Sequence, residues 1–364
     1  DCEHKTAPLD DQGEYFAVGT PAMAGNVINY SQARRISRDT FVEWTRRLTP
    51  KVGDLLLARE APVGPVVEMP AAENVAPGQR TVLMRPDSHV VDRKYLYYAL
   101  STPDTQTRLK EKAAGSTVAH LNVADIRSFE FPWVFPAVAV QQAIAEVLGA
   151  LDDKIAANTG IATNADALVR AMFLAFGASE ESRPLGDLAT NPRVAARPPF
   201  EAGHYVGLEH VPRRLMWLTQ TGDPEGLASG KFEFARGDVL FGKLRPYFHK
   251  VVVADRAGVC STDILVVRSK MASLRGYVWA AAASDEVVAR VSAMSEGTRM
   301  PRTNWSALAS SEVPWPGLET AEAFSDRVVA IRDRVAAAIA ESVALTNLRD
   351  MLLPHLMSGR ITVR

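Results

Sequence analysis

The residues of this chain able to do chemistry are forked cations, amides and hydroxyls set beside turn formers. Lys243-Leu244-Arg245-Pro246-Tyr247-Phe248-His249-Lys250 places cationic or titratable side chains around two aromatics directly after a strand-like run, and Gly242 and Pro246 shape a turn. Arg, Lys, Asn, Gln and His on a rigid loop can read base edges in a major groove, while Lys, Arg, hydroxyls and free amides can hold phosphates. The competing reading of the segment is an ordinary strand-loop-strand surface with solvated charges. Arg34-Arg35 with Arg38, Arg46-Arg47 with Lys51, and Arg213-Arg214 are either phosphate contacts or solvated faces. Arg59-Glu60-Ala61-Pro62-Val63-Gly64 keeps one Arg and a turn-forming Pro, a weaker version of the first loop.

Motifs of catalysis are missing. There is no Gly-x-Ser-x-Gly elbow, Walker loop or His-Glu-x-x-His. The Gly-rich cofactor loop and the Asn/Asp-Pro-Pro-Tyr/Phe motif of adenine methyltransferases are also missing; Asn191-Pro192 is followed by Arg193 where a second Pro is needed, and reads as a turn. Cys2 and Cys260 are the only cysteines, and no His or Cys pair has metal-ligand spacing. Cys260, inside Gly258-Val259-Cys260-Ser261-Thr262, reads as a small apolar strand residue. With 41 Lys and Arg against 42 Asp and Glu, any contact with a polyanion must come from local patches. No apolar run reaches the roughly 18 residues of a membrane span, and no basic-then-apolar leader opens the chain. A soluble, cytoplasmic protein off the membrane is expected.

The elements that must position these residues are written twice. Gly53-Asp54-Leu55-Leu56 returns as Gly237-Asp238-Val239-Leu240; Gly115-Ser116-Thr117, Asn122 and Phe131-Pro132-Trp133 return as Gly297-Thr298-Arg299, Asn304 and Val313-Pro314-Trp315. From Asn122 to Asn304, and from Trp133 to Trp315, the offset is 182 residues. At 364 residues the chain is long enough for two cores, which agrees with the repeat. Segment 1–136 is rich in Gly, Pro and short β-type runs such as Asp54 to Ala58 and Thr81 to Met84, interrupted by one helix, Arg93 to Leu100, with Asp92 as its N-cap. Its counterpart, Leu274 to Val291, is read as one helix following Ser273. Each globular unit therefore reads as α+β.

Past Pro136 the pattern changes to helix. Ile144, Leu148, Leu151, Ile155, Ala165, Leu168 and Met172 recur at steps of three and four, and Phe324, Val328, Ile331, Val335, Leu345, Leu348 and Leu352 repeat the stripe with an offset of 180. Val138 to Ala175 would make a rod of roughly 57 Å, with Gly160 and Asn164 as a candidate kink. A single amphipathic rod cannot bury its stripe, so the two are expected to pack as an antiparallel coiled coil; the alternative is that each covers its own globule. The expected division is 1–136, a helical spacer at 137–178, 179–318, and a second helical spacer at 319–364.

This plan resembles the specificity subunit of type I restriction-modification systems over essentially the whole chain. The likeness is carried by Asp1-Cys2-Glu3-His4-Lys5-Thr6-Ala7, Val52-Gly53-Asp54-Leu55-Leu56-Leu57-Ala58-Arg59-Glu60, Gly237-Asp238-Val239-Leu240-Phe241-Gly242-Lys243-Leu244-Arg245-Pro246-Tyr247, Gln141-Gln142-Ala143-Ile144-Ala145, and Leu348-Arg349-Asp350-Met351-Leu352-Leu353-Pro354-His355-Leu356-Met357-Ser358-Gly359. The resemblance implies a non-catalytic protein with two α/β target-recognition domains in pseudo-twofold repeat. Each would read half of a bipartite double-stranded DNA site, while the helices set the gap and dock two methyltransferase subunits. Motor-nuclease subunits would join the full complex, and S-adenosylmethionine, ATP and Mg would be bound by those partners, leaving this chain without a cofactor. The DNA-facing residues expected on this basis are His4, Lys5, Thr6, Arg59, His120, Asn122, Lys243, Arg245, Tyr247, Lys250, Arg299, Arg302 and Asn304. Aligned loops differ at Val118 against Met300 and at His120 against Arg302, which suits two unlike half-sites on a common scaffold. Leu185-Gly186-Asp187-Leu188, read as a strand, opens the second domain and has no counterpart at Asp1. Either the chain begins further upstream, or the family's circular layout lets the C-terminal tail complete the first unit. A standalone sequence-specific DNA binder and a coiled-coil adaptor remain as other classes. The first has no need of long rods, and the second has no need of Lys243, Arg245 and Arg302.

Overall fold

A computed structural model describes residues 3, 5–71, 73–113, 119–200, 203–295 and 300–363. The chain divides into two compact units, one made of Asp1–Asp153 with Leu345–Arg364, the other of Lys154–Ala344. The C-terminal tail thus belongs with the N-terminal segment, and both long helices pass from one unit into the other.

The helices, in chain order, are α1 (Arg38–Thr45), α2 (Arg93–Ser101), α3 (Pro103–Lys112), α4 (Val123–Arg127), α5 (Val138–Leu174), α6 (Leu185–Leu188), α7 (Arg275–Ala282), α8 (Asp285–Ala293), α9 (Trp305–Ala309) and α10 (Leu318–Met357). In the first unit, Tyr15–Val18 lies between Arg34–Ile36 and Val75–Pro77, and Leu55–Arg59 lies between Val63–Glu68 and Thr81–Met84. The central Leu55–Arg59 is buried along its length, as a strand covered on both faces must be. In the second unit Val239–Gly242 takes the same central place, between Val251–Val253 and Ile264–Ser269. A second sheet there runs Tyr205–Val206, Gly258–Cys260, Lys231–Phe234, Ala195–Ala196.

The duplicated Gly-Asp has a structural cause. Gly53 and Gly237 sit at φ +84° and +89°, where a side chain is strained. The following carboxylate is buried and clamps an Arg from the neighbouring strand: Asp54 accepts from Arg85 Nε and Nη2 at 2.8 and 2.7 Å, and Asp238 from Arg268 at 2.8 and 2.6 Å. Each also closes its own turn, accepting from the N–H of Lys51 (2.9 Å) or Ala235 (2.7 Å). The motif therefore pins the start of each central strand.

Segments of the two long helices lie side by side within each unit. In the second, Asn158 Nδ2 donates to Glu341 (2.9 Å), Lys154 pairs with the same carboxylate (3.2 Å), and the rings of Phe173 and Phe176 meet Phe324 at 6.0 and 5.1 Å. In the first, Asp152 pairs with Arg349 (2.7 Å), and Ile144 and Leu148 share a core with Leu353, Leu356 and Met357. Numbers rise along α5 as they fall along α10, so the paired segments run in opposite directions. Gly276 lets α7 approach α10: a Cβ there would stand 2.4 Å from the Ser325 carbonyl oxygen.

Several expectations are corrected. The N-terminal segment holds α1, α3 and α4 besides the expected helix; Ser37 and Thr102 cap the first two by accepting from the N–H groups of Thr40 and Thr105. Leu274 to Val291 is not one helix, because Ser284 accepts from the Val287 N–H and restarts the chain as α8. Leu185-Gly186-Asp187-Leu188 is a helical turn between two short strands, not a strand. Helix α5 runs unbroken through Gly160 and Asn164. That helix with its following turn is also long and apolar enough to cross a membrane by length and composition, at mean hydropathy 1.2 over one window. It nevertheless buries polar Asn158 and Asp166, as a helix packed against protein does.

Candidate nucleic-acid interface

In the second unit the strand Val239–Gly242 delivers Lys243 into two loops zipped backbone to backbone. The Lys243 N–H donates to Asp263 (2.8 Å), the Thr303 N–H to Lys243 (3.0 Å), and the Arg245 N–H to Pro301 (2.8 Å), with Leu244 bridged to Arg302. Lys243, Arg245 and Arg302 are thereby held on rigid, adjacent backbone. Arg302 is 61% exposed in its side chain and lies 3.4 Å from Asp263. Burial pushes the Lys243 ammonium below its usual value, Asp263 opposes this, and Arg193 and Arg302 add to it. Lys243, Arg245 and Arg302 thus share one patch with the carboxylate of Asp263.

Arg245 adopts a left-handed φ of +50° and opens a turn, Pro246–Phe248, which ends at His249 with φ +52°. Tyr247, at its apex, is 53% exposed. Phe248 lies under the guanidinium of Arg213, 3.9 Å from the ring centre, and 5.8 Å from that of Arg245. Two of the cationic or titratable side chains of this segment do not face outward: His249 is buried, and the half-buried Lys250 ammonium, expected to face DNA, donates to the Leu208 carbonyl. Lys250 therefore braces the loop. Asn304 accepts from the Ala307 N–H (3.0 Å) and caps α9, while Arg299 lies outside the described residues.

The first unit is less open. Arg59 is 8% exposed and its Nη1 donates to the Leu121 carbonyl (3.2 Å), so it serves as a strut rather than an outward donor. His120 is bridged to Glu60, whose carboxylate holds Arg80 at 3.1 Å. The Asn122 backbone and amide both donate to Asp125 (3.1 and 3.0 Å) at the start of α4. Lys5 pairs with Glu43 (3.0 Å) above the ring of Trp44, and Thr6 donates to Gln79 (2.9 Å). His4 lies outside the described residues. Thr6, Gln32, Arg34, Gln79 and Arg80 line a cavity of about 260 Å³, and Arg80 is left-handed at φ +68°. Sequence reasoning missed Gln32, Gln79, Arg80 and Arg193; Gly78-Gln79-Arg80 ahead of the Thr81–Met84 strand was the available signal for two of them.

The Cys260 thiol is buried and pushed up to about 12, mainly by desolvation, which leaves it unreactive. Among the described residues no group of three or more His, Cys, Asp or Glu is placed to hold a metal ion.

Residues 4–165 match the family model for the type I restriction modification DNA specificity domain. The specificity subunit of the type I restriction enzyme EcoDI from Escherichia coli is 28% identical over 144 residues, which is 38% of this chain and 32% of that protein; the match thus spans about a third of the relative's length. The S subunit of a type I restriction-modification system from M. genitalium is similar over 98% of this chain and 93% of its own, with TM-score 0.54 and 16% identity. A chain from a structure of type I R-M complex assembly and conformational transition covers 99% and 96%, with TM-score 0.40 and 15% identity. The M. genitalium likeness is one of fold. Residues 4–165 thus match a type I restriction modification DNA specificity domain, and nearly the whole chain is similar in fold to a solved S subunit.

Proposed function

We propose that the chain is the DNA-reading, non-catalytic subunit of a type I restriction-modification complex. In this reading, target-recognition domains at 1–136 and 179–318, a pseudo-twofold pair, each read one half of a bipartite duplex. The helical segments 137–178 and 319–364, as an antiparallel coiled coil, set the gap and dock two methyltransferase subunits. Motor-nuclease subunits complete the restriction complex. S-adenosylmethionine, ATP and Mg belong to those partners, and the complex works in the cytoplasm. The observation that carries the reading is the zipped pair of loops: it holds Lys243, Arg245 and Arg302 beside exposed Tyr247, the donor types that read bases and hold phosphates. The test is adenine-methylation sequencing of the host genome with and without the gene. Loss of one bipartite motif on deletion is expected, and an unchanged methylome overturns the proposal.

A further inference from the structure

His249 ends the turn that carries Arg245 and Tyr247 yet shares none of their exposure. It is 2% exposed, sits at φ +52°, and its N–H donates back to the Pro246 carbonyl at 2.8 Å. A left-handed residue other than glycine is strained and persists where its surroundings over-determine it. Those surroundings are polar. The Ala283 carbonyl, at the junction of α7 and α8, accepts from His249 Nε2 at 2.9 Å and from Arg170 Nη1 of α5 at 2.7 Å. A carbonyl can only accept, so this bond needs the ring hydrogen on Nε2, beside which Arg170 Nη1 lies at 3.4 Å. Nδ1 lies 3.2 Å from the carboxylate of Asp285, the first residue of α8. Arg214 grips that carboxylate with both contacts, at 2.8 and 3.0 Å, and its backbone N–H donates to the His249 carbonyl at 2.9 Å. Arg170 is steadied in turn by Asp166 (2.6 Å), whose other oxygen accepts from the Met216 N–H at 2.8 Å.

An apolar core residue would fill this space with less desolvation. What the polar network adds is direction, because a ring bonded through Nε2 to the Ala283 carbonyl and a backbone carbonyl held by Arg214 have one orientation, and the turn attached to them has one exit. We propose that His249 is a positioning residue for base recognition: by tying the Arg245–Phe248 turn to α5 through the Ala283 carbonyl it shares with Arg170, and to α8 through Arg214 and Asp285, it sets the orientation in which Arg245 and Tyr247 meet a base pair. This rests on the reading of that turn as a DNA contact.

The test uses the full chain assembled with its methyltransferase subunits. Binding is measured on the native duplex and on duplexes carrying each single-base change in both half-sites. Arg245→Ala identifies the bases that depend on the turn. His249→Ala is expected to lose about tenfold in discrimination at those same bases, the size of one weakened base contact, with the other half-site read normally. His249→Gln, whose longer side chain carries an amide donor to the position of Nε2 and keeps the bond to the Ala283 carbonyl, is expected to recover most of that loss. Uniform weakening on every duplex, or unchanged discrimination, overturns the proposal. Should His249→Ala fail to fold, Arg170→Gln removes the cation from the same carbonyl and is read in the same way. If Arg245→Ala changes no base, the reading of the turn itself falls; if it does and the His249 variants do not, only the positioning role falls.

Discussion

Arg245 is held by its backbone before it meets any ligand: its N–H is bound to Pro301 and its φ is fixed at +50° by the turn that follows. A side chain carried on such a backbone leaves only its own rotamers to be ordered on binding. Arg245→Ala is expected to weaken binding to the native site by about 1–3 kcal/mol if the guanidinium makes a bidentate contact to a base. Competition binding across single-base variants checks this: loss at one base marks a reader, uniform loss with a shallower salt dependence marks a phosphate contact, and no loss refutes both. His249 gives a second prediction at this scale. Burial, then Arg170, with Arg214 adding, hold its imidazole below the ordinary histidine value, against the pull of the Ala283 carbonyl and Asp285. The unfolded chain, at a pKa of about 6.5, takes up the proton first. The stability contributed by neutral His249 is therefore complete above that pH and is lost as pH falls through the lower folded value. Thermal unfolding followed from pH 7 to 5 should show the wild type losing stability more steeply than His249→Asn; parallel curves would refute it.

At the scale of elements, the clamps at the two central strands matter most. Asp238→Ala leaves Arg268 without its carboxylate and Ala235 without an acceptor. Because Arg268 keeps 42% of its side-chain exposure and can turn to water, the cost should sit near the lower part of the buried-pair range, about 2–4 kcal/mol. Asp255→Ala, which removes a pairing with its sequence neighbour Arg256 and a minor attraction to Arg332, should cost about 1 kcal/mol or less. Denaturant midpoints for the two variants check the difference, and equal midpoints would show that the clamp is incidental. The Gly-Asp repeat was visible in the sequence, but its meaning was not, since the partners Arg85 and Arg268 lie 31 and 30 residues downstream. Long periodic helices were legible, as was α2 with its Asp92 cap, whose side chain accepts from the Tyr95 N–H. Short helices set by one cap were not, because five to ten residues show no period. Asn122 and Asn304 were legible as polar residues ahead of a turn, but their contacts with Asp125 and Ala307 at the starts of α4 and α9 were not.

At the scale of the whole molecule, the two long helices are shared between units, and their division falls at matched places: after Asp153 in α5 and after Ala344 in α10. The contacts on either side are local. Asp152 with Arg349 belongs to one unit, and Lys154 and Asn158 with Glu341 to the other. Four residues inserted after Asp153 and four after Ala344 therefore leave the packing inside each unit untouched while lengthening both helices by about 6 Å. Inserting in only one helix would force the other to bulge, which is why the pair is needed. Four residues overshoot a full turn by roughly 40°, so the apolar stripe is nearly preserved in both helices. If the helices act as the ruler of a bipartite site, the half-sites should move apart by one or two base pairs, at about 3.4 Å each, with their bases unchanged. Methylation mapping with the lengthened protein and its partner subunits checks the spacing directly. A folded, active variant that still methylates the original spacing would show that the helices pack the units without measuring DNA.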